Sequence, residues 1–145
     1  MSKKNIISVV IALAILGLGV VGYLRAVPGI ENQTDSRPQI EITPRTFDFN
    51  EIEYGSIAEH TFKIKNLGSE TLEIKRVATS CACTSAEVGE KILKHDEETD
   101  LKVIYDTGLM GDSPHAKGKQ ERIIYIKTND PINPQVEVTI HAYVK

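Results

Sequence analysis

The sequence predicts an all-β fold, an immunoglobulin-like antiparallel β-sandwich of seven or eight strands, preceded by one N-terminal transmembrane helix. Three observations predict it. Apolar and polar residues alternate in short runs from residue 40 onward, turn-forming residues separate these runs, and one long apolar run lies near the N-terminus. Alternation indicates that one face of each strand is buried and the other is solvated, which is typical of antiparallel sheets.

The alternating runs extend through residues 40–145. Their inward positions are Phe47 and Phe49, His60, Phe62 and Ile64, Leu72 and Ile74, Leu101, Val103 and Tyr105, Ile124 and Ile126, and Val136, Val138, Ile140, Ala142 and Val144. The turns between them are marked by Asn66-Leu67-Gly68-Ser69, Thr107-Gly108 and Asn129-Asp130-Pro131. Trp is absent and the only two cysteines are one residue apart. The inter-sheet disulfide of a true immunoglobulin domain is therefore not available, and apolar packing must join the sheets.

The long apolar run, residues 6–24, has the length of a membrane span. As a helix it is about 28 Å long, close to the ~30 Å hydrocarbon core of a bilayer. Lys3 and Lys4 precede it, so the positive-inside rule places the N-terminus in the cytoplasm. A cleaved signal peptide has the same charge layout, but this run is longer than a signal core and lacks a small-x-small cleavage site.

We therefore expect three segments. Residues 1–25 are an anchor (or a signal-peptide-like segment), residues 26–39 a polar linker, and residues 40–145 the sandwich. The expected location is the cytoplasmic (inner) membrane, with the protein crossing it once through residues 6–24 and the C-terminal domain in the periplasm or at the cell surface.

Charge and motif content argue against several functions. Residues 26–145 contain 14 basic and 20 acidic residues, and such a surface disfavours nucleic acid. The G-x-S-x-G, P-loop and H-E-x-x-H motifs are absent. The acidic run at residues 90–102 lacks the spaced ligands and turn glycine of a calcium loop, and none of the four histidines lies at a spacing that points to Cys81: His60, His95, His115, His141. We expect neither enzymatic activity nor a cofactor or metal.

The two cysteines, Cys81 and Cys83, allow three interpretations. In an extended strand, residues i and i+2 are about 6.6 Å apart, so only a tight local turn lets them form a disulfide. Such a bridge is expected to be strained and easily reduced, as a redox catalyst requires. Two thiolates on one face are instead a candidate Cu(I) site. Free cysteines also pack as small hydrophobes, with Ser80 and Thr84 bonding the backbone at a sheet crossing, and we favour this structural interpretation.

Several motifs together resemble those of a known family. They are Phe47-Asp48-Phe49-x-x-Ile52-x-x-Gly55, the run from His60 to Gly68, Ser80-Cys81-Ala82-Cys83-Thr84, Asp106-Thr107-Gly108 and Thr128-Asn129-Asp130-Pro131. The chain thereby resembles, over about residues 44–144, a bacterial exported family known only as a domain of unknown function, similar to the immunoglobulin-like domains of Hydin and ASPM. The resemblance implies this fold and a cell-envelope location, but no activity. The family usually has Gly where this chain has Ala82, which would make a disulfide-closing left-handed turn harder.

Two functional hypotheses follow. The first is a membrane-anchored extracytoplasmic binding or assembly module, which recognises another cell-envelope protein through an edge strand or through the glycine-containing loop at residues 106–120. The alternative is a thiol-dependent site at Cys81 and Cys83 that takes part in disulfide exchange or binds Cu(I).

Overall fold

The computed structural model describes residues 36–111 and 115–145. The predicted anchor, residues 1–25, and the linker up to residue 35 lie outside these ranges and stay predictions. Within the described ranges, no helix is long and apolar enough to cross a membrane.

Nine strands form two sheets in the described part of the chain. The strands are β1 (Ile40–Ile42), β2 (Thr46–Ile52), β3 (Ile57–Asn66), β4 (Leu72–Thr79), β5 (Thr84–Val88), β6 (Ile92–Leu93), β7 (Glu98–Asp106), β8 (Gly118–Thr128) and β9 (Gln135–Val144). A 3₁₀ helix, Thr107–Met110, lies between β7 and β8. One sheet has the order β1-β3-β7-β5 and the other the order β2-β9-β8-β4-β6. The predicted all-β two-sheet sandwich is confirmed, and the short β1 and β6 bring the strand number above the seven or eight expected.

The predicted inward positions form the core between the sheets. Fully buried side chains include Phe62, Ile64, Leu72, Leu101, Val103, Tyr105, Ile124, Ile126 and Ile140. Phe47 and Phe49 are only half-buried, because β2 is an edge strand and its side chains are covered from one side. Burial of a large aliphatic or aromatic side chain contributes roughly 1.5–3 kcal/mol, so this core is the main source of the domain's stability.

The antiparallel prediction is wrong for one strand pair. β2 runs parallel to β9, with Thr46 opposite Thr139 and Ile52 opposite Val144. All other described pairs are antiparallel. An alternating sequence sets which face of a strand is buried but carries no information about the direction of its neighbour, so the period alone did not reveal this pair.

One end of the sandwich is organised around Asn66. This residue ends β3, is fully buried, and donates through Nδ2 to the carbonyl oxygens of Glu70 (2.8 Å) and Leu93 (2.9 Å). Its Oδ1 accepts from the N–H groups of Gly68 (2.9 Å) and Gln39 (3.2 Å). Arg37 and Gln39, at the end of the predicted linker, also hydrogen-bond to the domain, because their carbonyl oxygens accept from the N–H groups of Glu70 (3.4 Å) and Leu67 (2.9 Å). We call this end of the sandwich the Asn66 end.

Asp130 fixes the start of β1 at the same end. It is 1% exposed and accepts from the backbone N–H groups of Ile40 (3.1 Å), Ile132 (2.8 Å) and Asn133 (3.0 Å), and from Asn133 Nδ2 (3.3 Å). Burial on its own raises the pKa of this carboxyl, but the hydrogen bonds outweigh it and hold the pKa below its ordinary value. The Asn-x-Gly and Thr-Asn-Asp-Pro motifs are thus structural.

The opposite end of the sandwich contains the cysteine pair. β3 begins there at Ile57, opposite Asp106 of β7, and the chain crosses between the sheets from β4 to β5 through residues 80–83. We call it the disulfide end.

Candidate functional site

Cys81 and Cys83 are joined by a disulfide at the crossing from β4 to β5. Their Cα atoms are 5.3 Å apart, closer than an extended strand permits. A turn at Ala82 and Cys83 brings them together, closed by a bond from the N–H of Thr84 to the carbonyl oxygen of Cys81 (3.3 Å). The bridge that sequence reasoning made conditional on a tight turn is therefore present.

This disulfide corrects the interpretation of the pair as two free, packed cysteines. Ala82 is no obstacle, because the described non-glycine residues with positive φ are Asn50 and Asp96 only. The turn does not need a left-handed residue at position 82, so the β-carbon of alanine is tolerated.

Neighbouring hydroxyl groups fix the turn. Thr79 Oγ1 donates to the carbonyl oxygens of Cys81 (3.1 Å) and Thr84 (2.9 Å). Ser80 Oγ accepts from the N–H of Ile123 in β8 (3.0 Å). The expectation that hydroxyl side chains satisfy backbone groups at a sheet crossing is confirmed for Ser80.

The two sulfur atoms have different surroundings. Cys81 is half-buried, whereas Cys83 is 6% exposed and belongs to the core. Arg122 of β8 directs its Nε to Cys83 Sγ at 3.2 Å. Cys81 Sγ lies 3.4 Å from Thr84 Oγ1, a neutral hydroxyl. The positively charged guanidinium of Arg122 therefore contacts the sulfur of Cys83, whereas the sulfur of Cys81 contacts a neutral hydroxyl.

Arg122 is held by neutral groups. Its guanidinium donates to the carbonyl oxygen of Glu121 (2.7 Å), to Gln120 Oε1 (2.6 Å) and to Met110 Sδ (3.1 Å). Among the residues that the structure describes, no ion pair involves Arg122. Its charge is thus available to a negative group beside Cys83.

Tyr105 supports this arrangement from beneath. The guanidinium carbon of Arg122 lies 5.6 Å from the Tyr105 ring centroid, and the Tyr105 hydroxyl donates to Met110 Sδ (3.5 Å). Burial raises the pKa of Tyr105, so its hydroxyl stays protonated and adds no negative charge near Arg122.

The disulfide opens into a groove of about 240 Å³, which we call the disulfide groove. Its walls are Cys81, Ala82, Cys83, Leu109, Met110, His115, Ala116 and Arg122. Leu109 is 66% exposed, as Ile57 is at 64% on the same end. The structure thus places four residues of the segment predicted as a loop, Leu109, Met110, His115 and Ala116, beside the cysteine pair. The ends of that segment are not loop, because Asp106 ends β7 and Gly118 begins β8.

Sequence reasoning missed Arg122 and His115 as members of this site. His115 lines the disulfide groove, whereas the other three histidines lie elsewhere: His60, His95, His141. His60 lies at the rim of the core, where its ring stacks on Phe47 with 3.6 Å between centroids and burial lowers its pKa. Within the described ranges, no group of three or more His, Cys, Asp or Glu side chains is arranged to hold a metal ion.

A second groove follows the free edge of β5. The bonds at its two ends, Asp106 N to Cys83 O and Gly89 N to Asp100 O, set the hydrogen-bonding alternation with β7. They turn the backbone groups of Ala86 and Val88 away from β7, toward the open edge. Beside them lies a groove of about 400 Å³, the edge groove, lined by Ile74, Val77, Ala86, Glu87, Val88 and Lys91.

Comparison with known proteins identifies the family. The model of the family described as protein of unknown function, DUF1573, matches residues 40–144. The chain belongs to the DUF1573 family. The resemblance drawn from the motifs is thereby confirmed. No curated protein matches the sequence of this DUF1573 domain.

Solved structures with a similar fold come from bacteria and from humans. A protein of unknown function from Porphyromonas gingivalis W83 aligns with a TM-score of 0.66 and 20% identity, over 79% of this chain and 51% of that one. The ASH/PapD-like domain 7 of human CEP192 gives 0.58 and 10% identity, over 76% and 87%. The Vibrio cholerae protease VesB gives 0.52 and 13%, over 75% and 32%. The chain spans about half of the length of the Porphyromonas protein, and at these identities the likeness shows the fold alone.

Removing the disulfide is expected to cost little stability. It closes a loop of only three residues, for which the chain-entropy relation gives about 1.6 kcal/mol. Reduction of the bond should therefore lower the free energy of unfolding by no more than about that amount, measured by urea denaturation of the purified full-length chain in its oxidised and reduced forms. A loss of 4 kcal/mol or more would make the bridge a structural staple instead.

Proposed function

We propose that the DUF1573 domain is a membrane-anchored, extracytoplasmic binding module without enzymatic activity, and that it recognises an extended segment of another cell-envelope protein by strand addition to β5. The observation that carries the proposal is the juxtaposition of outward-facing backbone groups at Ala86 and Val88 with the edge groove, which has apolar side chains (Ile74, Val77) beside charged ones (Glu87, Lys91). An added strand would pair with these groups and place alternate apolar side chains in the groove.

The other three sheet edges support strand addition less well. β1 and β6 have three and two residues. β2 is longer, but its pairing is interrupted between Asp48 and Glu51, where Asn50 has a φ of 58°. Such bulges and short strands are the usual means by which proteins protect sheet edges from added strands. β5 has five residues in uninterrupted register with β7 and is the best remaining template.

Ala86→Pro tests this proposal. The Ala86 N–H points away from β7, so proline there should leave the pairing with β7 in place while blocking an added strand. Ala86→Ser keeps the N–H and is the matched control. A photo-cross-linking residue at exposed Glu87 in the full-length chain, expressed in intact cells, should give a defined adduct that Ala86→Pro abolishes and Ala86→Ser retains.

Two further measurements decide the outcome. A cross-linking residue at Glu51 on β2 should not give the same adduct. The captured protein, once identified and purified, should slow amide hydrogen exchange at Ala86 and Val88 of the full-length chain. Adducts that persist in Ala86→Pro, or that form equally from Glu51, would contradict strand addition to β5.

A second candidate function is disulfide exchange, which the Cys81–Cys83 bond supports. Binding of Cu(I), the other form of the thiol hypothesis, requires both sulfurs as thiolates, whereas here they are bonded to each other. Exchange uses the disulfide as it stands.

A further inference from the structure

We propose that Arg122 gives the Cys81–Cys83 disulfide a direction, such that an incoming thiolate attacks Cys81 and Cys83 leaves as a thiolate held by the guanidinium. This inference rests on the disulfide-exchange candidate and is independent of strand addition. It identifies Arg122 as a positioning residue and a protein or small-molecule thiol as the co-reactant.

The first argument is access. Both cysteines line the disulfide groove, but Cys81 is half-buried and lies beside exposed Ala82, whereas Cys83 is 6% exposed and packs in the core. Cys81 is therefore the more accessible sulfur for a thiolate that enters the groove. Exchange rates depend on which sulfur is accessible to attack.

The second argument is charge. A neutral disulfide gains little from a guanidinium 3.2 Å away, but a thiolate at Cys83 would gain a charge-assisted hydrogen bond. All the hydrogen-bond partners described above for Arg122 are uncharged, so its charge is not neutralised by them. A stabilised leaving thiolate leaves faster, and it also makes the reduced form more stable.

The third argument is that Arg122 is fixed in place. Gln120, Met110 and the Tyr105 ring hold the guanidinium from three sides. An arginine with this many partners is held in one conformation, with its Nε directed at Cys83. The site is therefore organised before the thiolate forms.

Thiol–disulfide exchange at this site consists of two displacements at sulfur. The incoming thiolate R–S⁻ forms a bond to Cys81 Sγ, the Cys81–Cys83 bond breaks, and its electron pair goes to Cys83 Sγ. If the co-reactant is a dithiol, its second thiolate attacks R–S, a disulfide forms in the co-reactant, and Cys81 leaves as a thiolate. Two electrons pass from the dithiol to the domain. The dithiol releases two protons to water; Cys81 takes one back and becomes a thiol, and the other stays in solution because Cys83 remains a thiolate beside Arg122.

Trapping with glutathione tests the direction. The oxidised full-length chain in detergent micelles is mixed with reduced glutathione, quenched with acid, alkylated with N-ethylmaleimide and mapped by mass spectrometry. We expect glutathione on Cys81 and N-ethylmaleimide on Cys83. Samples quenched at a series of early times report the cysteine that is attacked first, before glutathione can migrate between the two.

Variants of Arg122 test the cause. Arg122→Gln should slow the reaction about tenfold, because a charge-assisted hydrogen bond is lost, and should make the reduction potential more negative by about 30 mV for each tenfold change in the equilibrium constant. Arg122→Lys should recover most of both. Lys119→Gln removes an exposed charge from the same strand outside the disulfide groove and should change neither, and thermal unfolding of each variant verifies the fold.

The possible outcomes distinguish a failure of disulfide exchange from a failure of the role assigned to Arg122. If the folded protein does not react with glutathione, disulfide exchange and its direction both fail. If it reacts but glutathione lies equally on both cysteines, or if Arg122→Gln keeps the wild-type rate and potential, exchange stands and the role of Arg122 is overturned.

Discussion

Asn66→Asp is expected to lower the free energy of unfolding by about 3 kcal/mol or more at neutral pH. The carbonyl oxygens of Glu70 and Leu93 lose the amide donor that they share, and each buried group left unpaired costs roughly 1–3 kcal/mol. The new carboxylate also faces both of these oxygens in a fully buried position. Total stabilities are about 5–15 kcal/mol, so the substitution should remove a substantial part of the domain's stability.

Urea denaturation of the full-length chain at several pH values measures this loss. Burial disfavours the ionised form, so the difference from wild type should shrink as the pH falls from 7 toward 4 and the new carboxyl becomes protonated. Gln135→Glu makes the same amide-to-carboxylate change at an exposed residue and should stay within about 0.5 kcal/mol of wild type. Equal effects of the two substitutions would contradict the structural role of Asn66.

Asp130→Asn is expected to be the second largest loss, about 2–3 kcal/mol at pH 7. The carboxylate accepts from four N–H groups, and an amide would turn one NH₂ donor toward the donors that now bond to the carboxylate. Hydrogen bonds to a charged group contribute about 1.5–3 kcal/mol each, and part of that is retained by the amide oxygen. Asp48→Asn, an exposed carboxylate that accepts one local bond from Asn50, is the control.

The pH dependence of this effect has a definite sign. The pKa of Asp130 is lower in the folded protein than in the unfolded chain, so its contribution is fully present above the unfolded value, about 3.9. It is lost as the pH falls through the lower, folded value. Unfolding curves at pH 7, 4 and 2.5 should therefore show the gap between wild type and Asp130→Asn narrowing on acidification. A gap that widens below pH 4 would contradict it.

These two residues explain why part of the family resemblance is informative about fold and not about activity. Asn66 and Asp130 fix the start of β1 and the chain before it against the Asn66 end. Gly68 is required there by close approach, since a β-carbon would lie within 3 Å of backbone atoms of Arg37, Pro38 and Gln39. The disulfide bond at the other end has no comparable structural task, because its ring of three residues adds little stability.

Much of the fold was predictable because buried positions in a strand recur at every second residue, and this alternation is visible in the sequence. The alternation of Leu101, Val103 and Tyr105 marked the inward face of β7, and all three are buried. The direction of β2 relative to β9 was not predictable, since period two is the same for both directions. The turn at Ala82 was also hidden, because it is closed by a backbone hydrogen bond that alanine permits as readily as glycine.

The sequence by itself determined the fold class, the inward face of each main strand and the family, since these depend on local periodicity and on motifs. It also identified the cysteine pair and the 106–120 loop, but as separate features. Only the tertiary structure placed residues 109, 110, 115 and 116 of that segment in one groove with the cysteines, and brought Arg122, 39 residues along the chain from Cys83, within 3.2 Å of the Cys83 sulfur. Such contacts depend on the register between strands that are distant in sequence, and one amino-acid sequence by itself does not show that register.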